Sequence, residues 1–485
     1  MKRKNLKQMA GLCVCVMLAA SACGSENTQT AATASEPALT AEAASESTQS
    51  AESEVESKQT AEAAAESKQT AEAAAESAQS AELPGETEAS EELPAESAAQ
   101  EKNTEYDTSE QHEAAVLADG DAIVGGSYTA SGEDQSVLEA SGSVTASVTG
   151  ALLLKTAGDA SSADDSSFKG VNACVRVYGD AEVSLTDCTI QADAKNATGV
   201  FAYENGVARL DNCTVNVSGG GAGGVQVAGG GTLYGNNLTV TSASKAAIRS
   251  DRGGGLMVID GGSYTSTGSN GCPAIYSTAD ITVKNADCVS ENSRAVIIEG
   301  KNSVTLENCT LTGNDQSTKE GSVKANVLLY QSASGDAGEG TSEFSMTGGS
   351  IESQSGAMFY CTNTASKIYL SDAELALSED HSLLIVSAGR WGKDGKNGGD
   401  CSFTAENQTL EGSIYVDEIS SLALDFTSVH YSGAIQGDGN VSLTMDADSS
   451  WVLSGDSHIS SLAGDTSGID LNGYTLYVNG SAFNG

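Results

Sequence analysis

Lys245, Arg249, Asp251 and Arg252 bring an amine, two guanidinium groups and a carboxylate into one short run of the chain. On an extended strand alternate side chains share a face, so Arg249 and Asp251 point the same way. Such a set suits acid–base work on a sugar chain, where one group removes a proton and a cationic neighbour steadies the developing charge. Phe201, Tyr203, Tyr276 and Trp391 offer flat rings and Arg390 a guanidinium, groups that stack on a ligand without reacting with it. A complete catalytic set needs more. β-Elimination uses calcium held by several carboxylates, and hydrolysis uses paired Asp or Glu at a set separation; neither pattern clusters here. The stretch GRWGKDGKNGGD at 389–400 places Asp394, Asn397 and Asp400 loosely as a calcium loop would, but Lys396 stands where a ligand oxygen is required. His112, His381, His430 and His458 are scattered, so no zinc spacing exists. The expectation is a binding surface formed by Phe201, Tyr203, Arg249, Tyr276, Arg390 and Trp391, with no cofactor and no metal. Should the chain be an enzyme, Lys245, Arg249 and Asp251 are its candidates.

These residues need a scaffold, and a repeated phrase supplies it. An apolar residue stands two places before Gly, Asn or Asp and five places before another apolar residue. The phrase starts at Ile123, Val148, Leu185, Leu210, Gly235, Ile259, Val283, Leu306, Met346 and Leu370, in steps of 25, 37, 25, 25, 24, 24, 23, 40 and 24. Only Gly235 breaks the apolar rule. The middle residues, Gly125, Gly150, Asp187, Asn212, Asn237, Gly261, Asn285, Asn308, Gly348 and Asp372, are types that accept a left-handed backbone at low cost. Each repeat therefore reads as strand, sharp bend, strand. One repeat cannot bury its apolar side alone, whereas stacked repeats give every strand a parallel partner above and below. The long steps of 37 and 40 are expected to be Gly-, Ser- and Asp-rich loops, 158–170 and 331–343, bulging from a corner.

The phrases LTDCTI (185–190), LDNCTV (210–215), LENCTL (306–311) and MTGGSI (346–351) resemble the right-handed parallel β-helix of the pectin-lyase-like superfamily. The resemblance covers about 120–485 and implies an all-β solenoid of about 14–15 turns. It also implies a polysaccharide groove on the outer face of one sheet. The segments that would form that sheet include VFAYENG (200–206), AAIRSDR (246–252), AIYSTA (274–279) and LLIVSAGRW (383–391). The superfamily's catalytic motifs are absent: no Arg-x-Pro-x-x-Arg stretch with Asp-rich calcium positions, and no Asn-Thr-Asp, Asp-Asp, Gly-His-Gly and Arg-Ile-Lys set. The resemblance therefore points to the adhesin-like members.

Lys2, Arg3, Lys4 and Lys7 precede an apolar run from Met9 to Ala20, the length of a signal-peptide core. Ala20, Ser21, Ala22 and Cys23 resemble a bacterial lipobox, which implies a signal peptide at 1–22, a lipidated Cys23 and display on the outer side of the cell membrane. Residues 23–118 consist almost wholly of Ala, Glu, Ser, Thr and Gln, and the decapeptide ESKQTAEAAA occurs at 56–65 and again at 66–75. With one aromatic, Tyr106, such a stretch cannot build a core and reads as a disordered acidic stalk. The solenoid is placed at 119–485, with long turns over 119–400 and shorter turns and a cap over 401–485.

The net charge of −42 gives no electrostatic footprint for nucleic acid and no attraction to anionic lipid, so the membrane is expected as partner through the anchor alone. Eight cysteines, from Cys174 to Cys401, fall in the solenoid. Cys188, Cys213 and Cys309 share one position just after the bend, which suits compact buried thiols. The sequence thus predicts a monomeric surface protein that presents a β-helix for contact with a polysaccharide or host glycan. The alternatives are a polysaccharide lyase or glycoside hydrolase with an unrecognised site, or a purely structural wall-spanning rod.

Overall fold

The computed structural model describes residues 105–269, 271–319 and 321–484. The expected signal peptide, Cys23 and the stalk up to residue 104 lie outside the described residues. All ten expected bend residues adopt the left-handed backbone. Gly125, Gly150, Gly261 and Gly348 have φ of 64–70°, and Asp187, Asn212, Asn237, Asn285, Asn308 and Asp372 have φ of 50–54°. The bend does not interrupt the bonding between turns. The amide of Asp187 donates to the Asp211 carbonyl at 2.9 Å, and that of Asn212 to the Asn236 carbonyl at 3.0 Å. Pairing therefore runs around the corner.

Strands before the bend, such as Glu182–Thr186 and Val207–Asp211, form face 1 of a parallel β-helix. Strands after it, such as Thr189–Ala192 and Thr214–Val217, form face 2. Together the two faces make a continuous sheet of 25 strands. Face 3 is a separate sheet of 13 strands, from Ala115–Val116 to Ile435–Gln436. Ser457–Ile459 and Leu476–Val478 prolong its column, with the Ile435 amide bonded to Ser457 Oγ at 3.1 Å, so face 3 has fifteen rungs. Alternation of side chains sends Val183, Leu185, Ile190, Val200 and Ala202 into one continuous core, where each stacks on its counterpart in the next rung.

Gly235, the exception in the repeat, has a local cause. It stands in register with Leu210 and Ile259, and a Cβ there would come within 2.9 Å of the Leu238 side chain. Leu238 occupies the place held by Cys188, Cys213 and Cys309 in other rungs and is one branch larger. The volume lost at Gly235 is thus returned at Leu238, as a close-packed core requires.

The solenoid starts earlier than residue 119. Gln111–Glu113 pairs with residues 127–129, and Ala115–Val116 already belongs to face 3. Tyr106 lies against the bend at Gly150, where a Cβ would overlap its ring at 1.9 Å, and its hydroxyl donates to Asp187 Oδ2 at 2.9 Å. One aromatic seated on a glycine pins a segment whose composition reads as stalk.

Neither long loop bulges freely. Residues 158–170 contain helix α1, Ala163–Lys169, with Ser162 Oγ accepting from the Asp165 amide at 3.1 Å and Gly170 closing the helix at φ 69°. The helix lies over face 3, and residues 331–340 fold towards the same face. Beyond Asp372 the bends continue at Asn407 and Ser428, with φ of 47° and 55°. Leu410–Tyr431 and Ile414–Ile435 are in register as expected, but Leu422 pairs with Val441, so the face 1 step there is shorter than the sequence phrases suggest. Trp451 belongs to the core: it is fully buried, stacks on Tyr431 and donates Nε1 to the Gly433 carbonyl at 2.9 Å. The end is closed by the antiparallel pairing of Leu476–Val478 with Ser481–Ala482.

All eight described cysteines are buried. Cys188, Cys213 and Cys309 each donate to a carbonyl of the preceding rung, those of Val148, Leu185 and Val283, at 3.3–3.5 Å.

Candidate functional site

Register places Phe201, Gln226, Arg249, Tyr276, Ile297 and Leu328 in one outward column on face 3. Tyr203, Asp251, Glu299 and Tyr330 stand in the neighbouring outward row. These side chains point away from the core, as strand alternation predicts, but the sheet that carries them is covered.

Phe201 turns outward yet is fully buried, because α1 ends against it. It packs with Ala173 and Ala228, and a Cβ at Gly170 would lie 2.5 Å from its ring. It cannot touch a ligand, which corrects its assignment. Tyr203 flanks this patch and remains half-buried. Gln226, fully buried, donates Nε2 to the Ser167 carbonyl of α1 and to Asp251 Oδ2, both at 2.9 Å.

Arg249 and Asp251 form a bidentate pair beneath α1, with Nε–Oδ2 at 2.7 Å and Nη2–Oδ1 at 3.0 Å. Their side chains are 13% and 4% exposed. Burial pulls against the charge on Arg249, but Asp251 outweighs it and, with the Tyr276 ring 4.5 Å from the guanidinium, holds the arginine above its ordinary range. Oδ2 accepts from both Arg249 and Gln226 and Oδ1 from Arg249, and with the carboxylate 4% exposed beneath α1, Asp251 is poorly placed to take a substrate proton. Lys245 donates to Ser167 Oγ at 2.7 Å, and Arg252 pairs with Asp336 at 2.6 Å while covering the Phe168 ring. The charged run that looked like acid–base machinery fastens α1 and the 331–340 loop to the sheet.

A second centre, missed from sequence, lies two rungs along. Glu299 is 1% exposed and accepts at Oε2 from Tyr276 at 2.6 Å and from Tyr330 at 2.8 Å. Its Oε1 accepts from Ser332 and, at 3.3 Å, from Ser334. Burial first, then the charges beside them, push both tyrosine hydroxyls above their usual 10.0. The signal was present: a glutamate inside the otherwise apolar strand VIIE, which cannot be buried without donors. A further buried pair, Arg294–Asp315 at 2.9 Å, holds residues 314–319 at the same side of the helix.

Trp391 folds back onto the sheet. Its ring lies 4.5 Å from Tyr330 and 4.4 Å from the Arg390 guanidinium, and the indole joins a small apolar cluster with Ile297, Leu328 and Tyr360. Asn397 locks this loop by donating to the carbonyls of Gly389 and Trp391 at 2.7 and 3.0 Å. Arg390 stays exposed, but Trp391 has its stacking partner inside the protein, which corrects the picture of an outward pair. Among the described residues no group of three or more His, Cys, Asp or Glu is placed to hold a metal ion.

Face 1 differs. A shallow hollow of about 450 Å³ runs across four of its rungs, lined along the axis by Ser184, Arg209, Tyr234 and Val258 and, beside them, by Thr186, Asp211, Asn236 and Asp260. The backbone of Gly235 forms part of its floor. Arg209 bonds to Glu182 at 2.6 Å and lies 4.3 Å from the Tyr234 ring, so the ring is held flat against its neighbour. Asn236 donates to Asp211 at 2.5 Å and Asn285 to Asp260 at 2.7 Å, leaving the remaining oxygens of both carboxylates open to solvent. Sequence patterning had marked none of these as ligand-facing. Compared with known protein families, characterised proteins and solved structures, the chain matches none.

Proposed function

We propose that this chain is a lipid-anchored bacterial surface protein of the adhesin-like, pectin-lyase-like kind, which holds a neutral glycan along its β-helix and breaks no bond in it. The observation that carries the proposal is the face 1 hollow. It is open, runs parallel to the axis and combines one braced aromatic ring with amide and carboxylate oxygens, a mixture that suits the hydroxyls and apolar faces of sugar rings. The strongly acidic chain repels polyanions, which favours an uncharged polymer. Commitment of Asp251 to Arg249 and Gln226, and of Glu299 to four hydroxyls, supports binding over catalysis. The half-exposed edge at Tyr203 and the exposed Arg390 are a secondary contact zone. In this proposal Cys23 carries the lipid that tethers the chain to the membrane.

Binding of the full-length protein to an array of neutral and charged glycans tests this, with reducing-end and unsaturated-product assays run on every sugar retained. Retention of neutral glycans, lost in Tyr234→Ala and without product, is the expected result. Product formation that needs Arg249 or Asp251 would replace the binding protein by a lyase or hydrolase. No retention of any glycan would leave the wall-spanning rod.

A further inference from the structure

One pair of thiols departs from the pattern of the others. Cys361 lies on face 3 in Ala357–Thr362, and Cys401 opens face 1 of the following rung in Asp400–Glu411; both side chains point into the core at 0% and 1% exposure. In the bend ladder each thiol donates to a carbonyl, whereas Cys361 Sγ donates to Cys401 Sγ at 3.7 Å. The two sulfurs approach from different faces across a corner. Cys188 and Cys213, by contrast, stand one above the other in parallel strands, an arrangement that opposes the near-perpendicular dihedral of a disulfide.

We propose that Cys361 and Cys401 are a built-in oxidation site, which a disulfide-bearing oxidant converts to an intramolecular disulfide joining consecutive rungs. One thiolate attacks the oxidant's disulfide, forming a mixed disulfide and releasing one oxidant sulfur. The second thiolate then attacks the cysteine sulfur of the mixed disulfide, and the other oxidant sulfur leaves. Two protein thiols lose two protons and two electrons in all, and the oxidant's disulfide becomes two thiols. The sulfurs have to close from 3.7 Å to about 2.05 Å. Its partner thiol and burial raise Cys401 well above the ordinary thiol range, so the folded core reacts slowly and the bond forms as the chain folds. The bridge encloses the 388–399 loop, so oxidation would fix the segment that seats Trp391. An exported chain meets oxidants of this class, but the site does not depend on glycan binding.

The test is to refold the full-length chain from denaturant in a buffer of reduced and oxidised glutathione. Remaining thiols are then blocked with N-ethylmaleimide under denaturing conditions, and the non-reduced digest is read by mass spectrometry. The expected result is a linked pair of peptides carrying Cys361 and Cys401, with Cys188, Cys213 and Cys309 alkylated. The thermal midpoint of the oxidised protein should fall on the order of 5 °C when reductant is added. This drop should vanish in Cys401→Ala. Full alkylation of Cys361 and Cys401 in protein with native circular dichroism overturns the proposal, as does a bridge between Cys188 and Cys213 in place of the expected one. If Cys401→Ala does not fold, the peptide map of the wild type decides alone.

Discussion

Faces 1 and 3 are built from the same repeat, yet one is bare and the other roofed. The difference lies in where the repeat tolerates insertion. Between faces 1 and 2 the chain turns on a single left-handed residue whose amide is bonded to the next rung, so an extra residue would break the ladder. The corners that flank face 3 carry no such constraint, and α1, residues 314–319, loop 331–340 and the Trp391 loop all enter there. Once inserted, they fold onto face 3 because its outward side chains offer ions and rings to hold them: Gln226 and Lys245 for α1, Glu299 and Arg252 for 331–340, Tyr330 for Trp391. Face 1 stays open because nothing is inserted at its bend with face 2, and the loops at its corner with face 3 fold the other way, onto face 3. The aromatic and charged groups that mark a site in sequence are thus used on face 3 as internal glue, and the site moves to the wall that lacks insertions.

The sharpest way to break this comparison is to remove one carboxylate from each wall. Asp251→Ala strands a buried guanidinium and the Gln226 amide, and we expect a loss of about 3–5 kcal/mol in urea unfolding. Asp211→Ala on face 1 should cost under about 1 kcal/mol. Equal losses would mean that the two walls do not differ in the way described. Next in size is the aromatic exchange. Trp391→Ala should lower stability by about 2 kcal/mol and leave glycan retention intact, because its ring packs on Tyr330. Tyr234→Ala should do the reverse, weakening retention about tenfold with little change in melting. The opposite outcome would return the site to face 3.

The bend that keeps face 1 free of insertions is testable in its own right. Asn308→Val forces a branched side chain to φ near 53° and should cost about 1–2 kcal/mol by calorimetry, while Asn308→Gly should be close to neutral. A neutral valine would show that the corner is not strained. The smallest effect concerns the turn after Met445, where Asp446 takes over the hydrogen bonding of the bend. Ser449 and the Ser428 amide hold its carboxyl below the ordinary 3.8. A depressed carboxyl contributes stability above its unfolded value and loses it as pH falls through the folded one. The wild-type melting point should therefore drop slightly faster below pH 3.8 than that of Asp446→Asn, and parallel titrations would remove Asp446 from the account.

Much of the scaffold was legible in the sequence because it rests on short-range physics. A bend needs one residue that accepts positive φ, and a half-buried strand needs alternation, so the ten bends and the segments expected to form the outer sheet could be read from a few neighbours each. Asn407 and Ser428 were passed over although Ala405 with Leu410, and Phe426 with Tyr431, keep the same spacing. Serine is a rare choice for a left-handed bend, and alanine a weak apolar signal. The Trp391 loop shows the opposite case. Its glycines announce an irregular segment, but nothing near it in sequence says that Tyr330 will receive the indole.

The sequence by itself determined the repeat, the bends, the inward residues of every strand and the acidity of the whole chain, since each follows from the chemistry of a residue and its near neighbours. Only the tertiary structure decided which outward side chains meet a partner. Gly170 reaches Phe201, Arg252 reaches Asp336 and Tyr106 reaches Asp187 across 31, 84 and 81 positions of the chain. Contacts of that separation depend on how loops fold back on finished rungs, and no local preference encodes them.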